Sequence, residues 1–254
     1  MKVKEIKDYL NSLYPFGNKC EWDNCGLLVG NEEDEIVKIG FVLDLTKETL
    51  KYALDRSINL IVTHHPVIFT SQKTFLSGNI AFDAAVNGVS VISCHTCYDS
   101  AEGGVSDILA EKIGLSDISV FETEEKPFCV RKGITKEYSP DDFAKAVASK
   151  LDTTVRFVKG NRNIKTVAVC GGGGGDFVNE VASSGIDAYV TGDISHHQFL
   201  LAEEKGLTLI AAGHFETENI SMLPLMNKVQ EKFPTVCCEL LCQHNPVKFI
   251  SAED

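Results

Sequence analysis

The sequence has no long apolar run. No stretch approaches the ~20 apolar residues that a membrane-spanning helix needs, and charges interrupt the first 15 residues, MKVKEIKDYLNSLYP. A secretory signal peptide would require an uninterrupted apolar stretch there. We therefore expect no membrane partner and a cytoplasmic location.

Basic residues are also in short supply. The 254 residues contain 24 Lys and Arg against 36 Asp and Glu, for a formal net charge of -12. Nucleic-acid binding normally needs a basic surface, so we expect no nucleic-acid partner. Low-complexity segments are absent too. The nine cysteines are an odd number in a chain too long to depend on disulfides, which favours free thiols in a reducing compartment.

Apolar periodicity predicts an α/β protein. Helical patterns such as KETLKYALDRS and NIAFDAAVNG alternate with short apolar runs such as INLIV and VSVIS, whereas EWDNCGLLVG reads as a loop. We predict two α/β lobes with mixed sheets, 1–125 and 126–254, joined near 125 where charge and Pro127 interrupt the pattern. The C-terminal stretch 236–254 is predicted to return to the first lobe as a strand.

Metal-binding residue types follow three of the apolar runs. INLIV leads into His64 and His65, VSVIS leads to Asp99, and LTLIAAG leads into His214 with Glu218 four residues later. Ligands bind beyond the carboxyl ends of strands in α/β sheets, so these side chains can converge there. The i, i+4 spacing places His214 and Glu218 on one helical face. Taken singly, the His pair also fits a surface loop, and the His/Glu pair fits an exposed helix start.

Together the five residues suffice for two divalent ions bridged by a carboxylate or a water. Their mixed nitrogen and oxygen donors suit Zn, Mn, Fe or Ni, and Mg is also retained as a candidate. His95, four residues before Asp99, is the candidate for proton transfer, because an imidazole titrates near neutral pH.

Other polar clusters leave alternatives open. CGGGGGD at 170–176 fits either a tight strand-to-helix turn or an anion cradle, and it lacks the spacing of a dinucleotide fingerprint. Cys94 and Cys97 form a CxxC that fits inert buried thiols better than a redox or zinc site. TGDISHH supplies Asp193, His196 and His197, interpreted as support for the ligands or as cavity lining. Trp22, Asp23 and Asn24 are interpreted as shaping the N-terminal loop, and the Trp22 side chain is expected to be buried.

The chain resembles the YbgI-like dinuclear metal-centre proteins, also known as GTP cyclohydrolase I type 2 homologues. The resemblance covers nearly the whole chain and rests on eight ordered motifs: WDNCGLLVG (22–30), DLT (44–46), THHPVIF (63–69), HTCYD (95–99), GGVSD (103–107), CGGGG (170–174), TGDISHH (191–197) and GHFETE (213–218). Carried over by position, the family's metal ligands fall on His64, His65, Asp99, His214 and Glu218. Ser106 stands where relatives usually have Asn, and Cys97 and Tyr98 where they often have Asn-Leu.

The resemblance implies two similar α/β lobes with a metal site in the cleft between them, and a toroidal homohexamer around an internal cavity. Some relatives carry an extra mid-chain domain, but no inserted mid-chain domain is expected here, because the segment between GGVSD and CGGGG is too short for one. It also implies hydrolysis of a nucleotide, or of another small phosphorylated or heterocyclic substrate, with GTP as the family label. A metal storage or delivery protein, or an oligomeric scaffold, is the alternative. An open coordination position beside a substrate-shaped pocket would favour the enzyme.

Overall fold

The computed structural model describes residues 1–124 and 128–250, and within them the strands form two mixed sheets. The first sheet has the order β1-β4-β3-β2-β11 and consists of β1 (Gly26–Val29), β2 (Lys38–Val42), β3 (Leu60–Thr63), β4 (Ser90–Ser93) and β11 (Cys237–Leu240). Its pairings are parallel except that of β1 with β4.

The second sheet has the order β5-β6-β8-β9-β10-β7. Its strands are β5 (Ser116–Val120), β6 (Arg131–Tyr138), β7 (Arg156–Val158), β8 (Ile164–Val169), β9 (Ala188–Thr191) and β10 (Thr208–Ala211). The three central strands β8, β9 and β10 are parallel, and the outer strands pair antiparallel. The predicted fold class, two α/β lobes with mixed sheets, is confirmed.

Helices cover both faces of each sheet. They are α1 (Val3–Leu13), α2 (Lys47–Asp55), α3 (Ile80–Val86), α4 (Thr96–Asp99), α5 (Val105–Lys112), α6 (Pro140–Leu151), α7 (Val178–Ser183), α8 (His196–Lys205), α9 (His214–Glu218) and α10 (Met222–Lys232). Helices α1 and α10 pack on one face of the first sheet, and α2 and α3 on the other. Helices α5 and α6 cover one face of the second sheet, and α7 and α8 the other.

The elements follow from local sequence. In α1 the buried Val3, Ile6 and Leu10 recur at helical spacing and form its apolar face. The β3 run LIVT is buried at all four positions, as expected for a parallel strand covered on both faces. No helix in the described part of the chain combines the length and apolar character needed to cross a bilayer.

Two segments differ from the sequence-based expectation. The segment predicted as a loop, EWDNCGLLVG, contains β1. The charged stretch around the predicted junction, 116–135, has little apolar periodicity, yet it contains β5 and the start of β6. Strand β5 is largely exposed, so no alternation of apolar residues marks it. Hydrogen bonding to neighbouring strands defines these elements, and that pairing is invisible in the segment alone.

The predicted junction near 125, with Pro127, lies outside the described residues. Strand β5, ahead of that junction, belongs to the second sheet, whereas β11 pairs in parallel with β2 of the first. The chain therefore returns to the first sheet at its C-terminal end, although residues 251–254 of the predicted strand also lie outside the described part. The domain boundaries stay a prediction.

Candidate metal centre

The predicted site residues meet where strands of both sheets end. His64 and His65 follow β3, and Asp99 is the last residue of α4, which begins three residues after β4. His214 and Glu218 begin and end α9, shortly after β10 of the second sheet. The site thus lies between the carboxyl ends of parallel strands, where α/β proteins bind ligands.

The two adjacent histidines face the same region because β3 ends just before them. Neighbouring side chains on a strand point to opposite faces, but β3 ends at Thr63 and the chain bends at His64 and His65. Their ring centroids are 5.0 Å apart. His64 is fully buried, whereas His65 is partly exposed towards a cavity.

Each imidazole around the site is held through its Nδ1 atom. The partners are the carbonyl oxygen of Cys94 for His64 (2.8 Å), Asp44 for His65 (2.7 Å), Asp23 for His95 (2.8 Å) and Asp193 for His214 (2.6 Å). These partners accept hydrogen bonds, so Nδ1 carries the proton in each neutral ring. That tautomer leaves the Nε2 lone pair free to bind a metal, the arrangement common for ligating histidines.

Glu218 stands between the histidines of the two sheets. Its Oε2 atom lies 3.0 Å from Nε2 of His65 and 3.1 Å from Nε2 of His214, and its Oε1 atom lies 3.6 Å from Nε2 of His64. With the neutral rings protonated on Nδ1, none of these contacts contains a donor, and lone pairs face one another. A cation or extra protons would relieve that repulsion.

Unsatisfied buried atoms concentrate at the same place. Among the described residues, four buried side-chain polar atoms lack a hydrogen-bond partner, and three are Nε2 of His64, Oδ1 of Asp99 and Oε2 of Glu218. Such atoms are rare in folded proteins. Asp99 Oδ1 and His64 Nε2 are only 3.5 Å apart. The donor set therefore fits a divalent cation.

When no cation is bound to offset its negative charges, the cluster favours protonated side chains. Burial lowers the pKa of His65, but Asp44 and Glu218 raise it more strongly, to about 10. Burial likewise lowers the pKa of His214, and Glu218 and Asp193 raise it to about 9. Burial raises the pKa of Asp99. A metal bound here would have to displace protons from the histidines.

Three groups of side chains, within the described ranges, are close enough to hold a metal ion. In each group the ligand atoms lie within 4.8 Å of one another: His65, His214 and Glu218; His64, Asp99 and Glu218; and His64, His65 and His95. The structure thus brings together all five residues predicted as ligands, and it places His95 beside them. Their role as ligands stays a prediction.

His95 is anchored by a carboxylate that sequence reasoning assigned to loop shaping. Asp23 accepts bonds from Nδ1 of His95, from the backbone of Thr96 (3.0 Å) and from its hydroxyl (2.5 Å). Burial raises the pKa of Asp23, but these bonds lower it well below its usual range, so the carboxylate stays ionised. Trp22 is 59% exposed, which contradicts the expectation of burial, and its ring packs near Phe69 and His95.

The sequence of this chain matches a known protein family over nearly its whole length. The sequence model of the Duf34/NIF3 (NGG1p interacting factor 3) family matches residues 1–246. The chain belongs to the DUF34/NIF3 family. The resemblance inferred from the motifs is confirmed at this level.

Two relatives of the DUF34/NIF3 chain carry related names. A Clostridium perfringens protein named "GTP cyclohydrolase 1 type 2 homolog" is 31% identical over 244 residues, covering 91% of this chain and 92% of the relative. A Helicobacter pylori protein named "GTP cyclohydrolase 1 type 2" is 36% identical over 225 residues, covering 85% and 86%.

The fold is shared with solved structures. Staphylococcus aureus protein SA1388 has a TM-score of 0.90 at 26% identity, with 98% of this chain and 99% of that chain covered. Protein ybgI has a TM-score of 0.86 at 24% identity, with 97% and 100% covered.

In this DUF34/NIF3 chain the glycine-rich turn lies against the site. Gly172 follows β8 with a φ of +61°, and a Cβ added there would lie 1.9 Å from Oε1 of Glu218. Only glycine leaves room for the carboxylate at this backbone conformation. The segment therefore forms a tight strand-to-helix turn, which was the first of the two interpretations of this motif. Asp176 lies in a short 3₁₀ helix, Gly175–Phe177, ahead of α7.

The remaining clusters divide between the site and the surface. Asp193 supports His214, as predicted, whereas His196 and His197 are exposed on α8, outside the three candidate groups. Cys94 and Cys97 are buried, and their pKa values are raised, by burial for Cys94 and by a hydrogen bond with Cys25 and burial for Cys97. A thiol with a raised pKa is a weak nucleophile at neutral pH. All nine cysteines, which lie among the described residues, are unbridged.

Proposed function

We propose that the chain is a metal-dependent hydrolase with a dinuclear centre. The position of Glu218 carries the proposal, because this carboxylate belongs to two of the three candidate ligand groups. One oxygen faces His65 and His214, and the other faces His64. Glu218 would therefore contribute to holding both ions.

The proposed ligands divide into two sets. His65, His214 and Glu218 would hold one ion, and His64, Asp99 and Glu218 would hold the other. The sets contain three imidazoles, which suit Zn, Mn, Fe or Ni better than the oxygen-seeking Mg. Two divalent ions bound there would supply positive charge that lowers the pKa of a water and polarises a substrate oxygen.

The proposed proton carrier is His95. Asp23 fixes its Nδ1 proton, so Nε2 is the atom that can take a proton from the attacking water and pass it to the leaving group. The buried, ionised Asp23 would also stabilise the imidazolium formed in that step. His95 is itself nearly buried beside His64, which limits exchange of that proton with bulk water.

A nucleotide, or another small phosphorylated or heterocyclic compound, is the proposed substrate. The names of the C. perfringens and H. pylori relatives support a guanine nucleotide. A cavity of about 680 Å³ opens beside His65 and His214, a size typical of small-molecule sites. That adjoining cavity favours an enzyme over the storage or scaffold alternative.

The assembly and the compartment also remain proposals. We propose a toroidal homohexamer and a cytoplasmic protein, the latter in keeping with nine unbridged cysteines. Light scattering coupled to gel filtration would give six times the 27.8 kDa chain mass for the hexamer. A monomer or dimer would contradict it.

The test of function combines metal content with turnover. Purified protein loaded with Mn or Zn should hydrolyse GTP or another phosphorylated compound in a substrate screen, lose activity with chelator and regain it when metal returns. Replacing His95 by Gln should lower the rate by about 10²-fold or more at unchanged metal content. A fully metallated protein inactive across the screen would refute the hydrolase.

His196→Gln is the matched control, because it removes an exposed imidazole outside the cluster. It should leave both activity and metal content unchanged. If His95→Gln instead lowers metal content, His95 acts as a ligand and the proposed proton carrier is wrong.

A further inference from the structure

The charged side chains that line the cavity beside the candidate metal centre are, with one exception, well hydrogen-bonded. Asp44 bonds His65 and Gln243, Asp193 bonds His214, and Glu216 accepts a bond from Asn245 at 2.7 Å. These three carboxylates are the acidic side chains of the lining. The partner of Glu216 is a neutral amide, so that bond does not compensate its negative charge.

Arg156, on edge strand β7, is the exception in this lining. Its guanidinium makes no ion pair with a carboxylate of the described residues, and its Nη2 donates only a long bond of 3.4 Å to the carbonyl of Ile194. The guanidinium also lies 5.5 Å from the ring centroid of Phe199. A positive charge without a carboxylate partner therefore borders the cavity in a strongly acidic protein.

Apolar side chains form another part of the lining. Phe215 follows His214, and Val247 and Phe249 come from the C-terminal segment. Val247 and Phe249 are 58% and 60% exposed, although apolar side chains of this size are usually buried. The cavity thus combines one free cation with an apolar surface suited to a flat ring.

We propose that this cavity binds an organic phosphate with an aromatic body, and that Arg156 is the residue that selects the phosphate. The inference rests on the proposed function, whose substrate class it narrows. A guanidinium forms two parallel hydrogen bonds with phosphate oxygens. The ring of the ligand packs against Phe215 and Phe249, and its remaining end faces His65 and His214.

The experiment compares two probes that differ only in the phosphate. Isothermal titration calorimetry measures GMP and guanosine binding to zinc-treated wild type, Arg156→Gln and Arg156→Lys. Wild type should bind GMP at least about tenfold more tightly than guanosine, as expected for a charge-assisted hydrogen bond. The ratio should fall to near one in Arg156→Gln and to an intermediate value in Arg156→Lys, which keeps the charge but loses the planar fork.

Lys159→Gln provides the matched control. Lys159 directly follows β7 and pairs with Asp141, so its replacement removes the same charge outside the cavity lining. The GMP-to-guanosine ratio should keep its wild-type value in this variant. If the ratio fell equally in Arg156→Gln and Lys159→Gln, the effect would come from net charge alone, and the proposal would be overturned.

The other outcomes are also decisive. A ratio retained in Arg156→Gln would mean that the phosphate is held elsewhere, for instance by the metal ions, and absence of GMP binding by wild type would remove the site. Zinc content, measured on every variant, separates this proposal from the metal centre. A zinc-treated wild-type protein that retains no zinc would contradict the proposed function. The GMP-to-guanosine ratio measures the role of Arg156 and does not depend on turnover.

Discussion

Replacing Gly172 by Ala should disable the metal centre while leaving the fold largely intact. The new Cβ would lie 1.9 Å from Oε1 of Glu218 and 3.0 Å from Nε2 of His214. No real Cβ contact is as short as the first distance. Because the obstructing atom is the far end of a side chain, the carboxylate can move away, and the damage falls on the ligand set.

The stability cost follows from the backbone. Gly172 has a φ of +61°, a left-handed conformation that costs a residue with a Cβ about 1–2 kcal/mol. For a chain of this size the melting temperature should fall by roughly 2–8 °C. Gly173 is the internal control, because nothing lies within 4 Å of a Cβ added there and its φ is not left-handed.

Metal analysis by plasma mass spectrometry and thermal unfolding of chelated protein would measure the two effects. Gly172→Ala should lose at least one metal equivalent and the predicted stability, whereas Gly173→Ala should resemble wild type. If Gly172→Ala keeps its full metal content, the close approach of this turn to Glu218 is wrong. Equal losses in both variants would show that the turn merely needs glycines.

Three further predictions concern the ligands, the thiols and pH. Glu218→Gln should lower metal content, whereas Glu216→Gln should not, because Glu216 bonds Asn245 outside the ligand groups; equal losses would contradict the assignment. Replacing Cys94 and Cys97 together by Ser should leave metal content intact, since no candidate group in the described ranges contains sulfur; loss of an equivalent would indicate a thiolate ligand. In chelated protein, His65 has a pKa raised from 6.5 to about 10. Its stabilising contribution is complete below pH 6.5 and is lost as pH rises through about 10, so denaturation midpoints should fall across that range in wild type but less in His65→Gln.

The ligand cluster was predictable because it follows simple geometry. His64 and Asp99 follow β3 and β4, neighbouring parallel strands whose carboxyl ends share one sheet edge, and His214 follows the parallel strand β10 of the second sheet. The helical spacing of His214 and Glu218 then places both on one face. These local rules place each residue at a strand end, whereas the packing of the two sheets brings the two groups together.

The supports of the histidines follow no local rule. His95 and Asp23 are 72 residues apart, and Asp44 is 21 residues from His65, so only the tertiary fold reveals that they bond. The DLT and WDN motifs contained both aspartates without indicating that they bond histidines. Strand β5 was missed for a related reason, because an exposed edge strand is defined by its pairing with β6.

Anomalous diffraction from crystals of protein loaded with Mn or Zn tests the central claim most directly. The account predicts two peaks per chain, one among His65, His214 and Glu218 and the other among His64, Asp99 and Glu218, with the Glu218 carboxylate between them. A single peak would contradict the dinuclear centre. Peaks at other side chains, or none, would contradict the metal site itself.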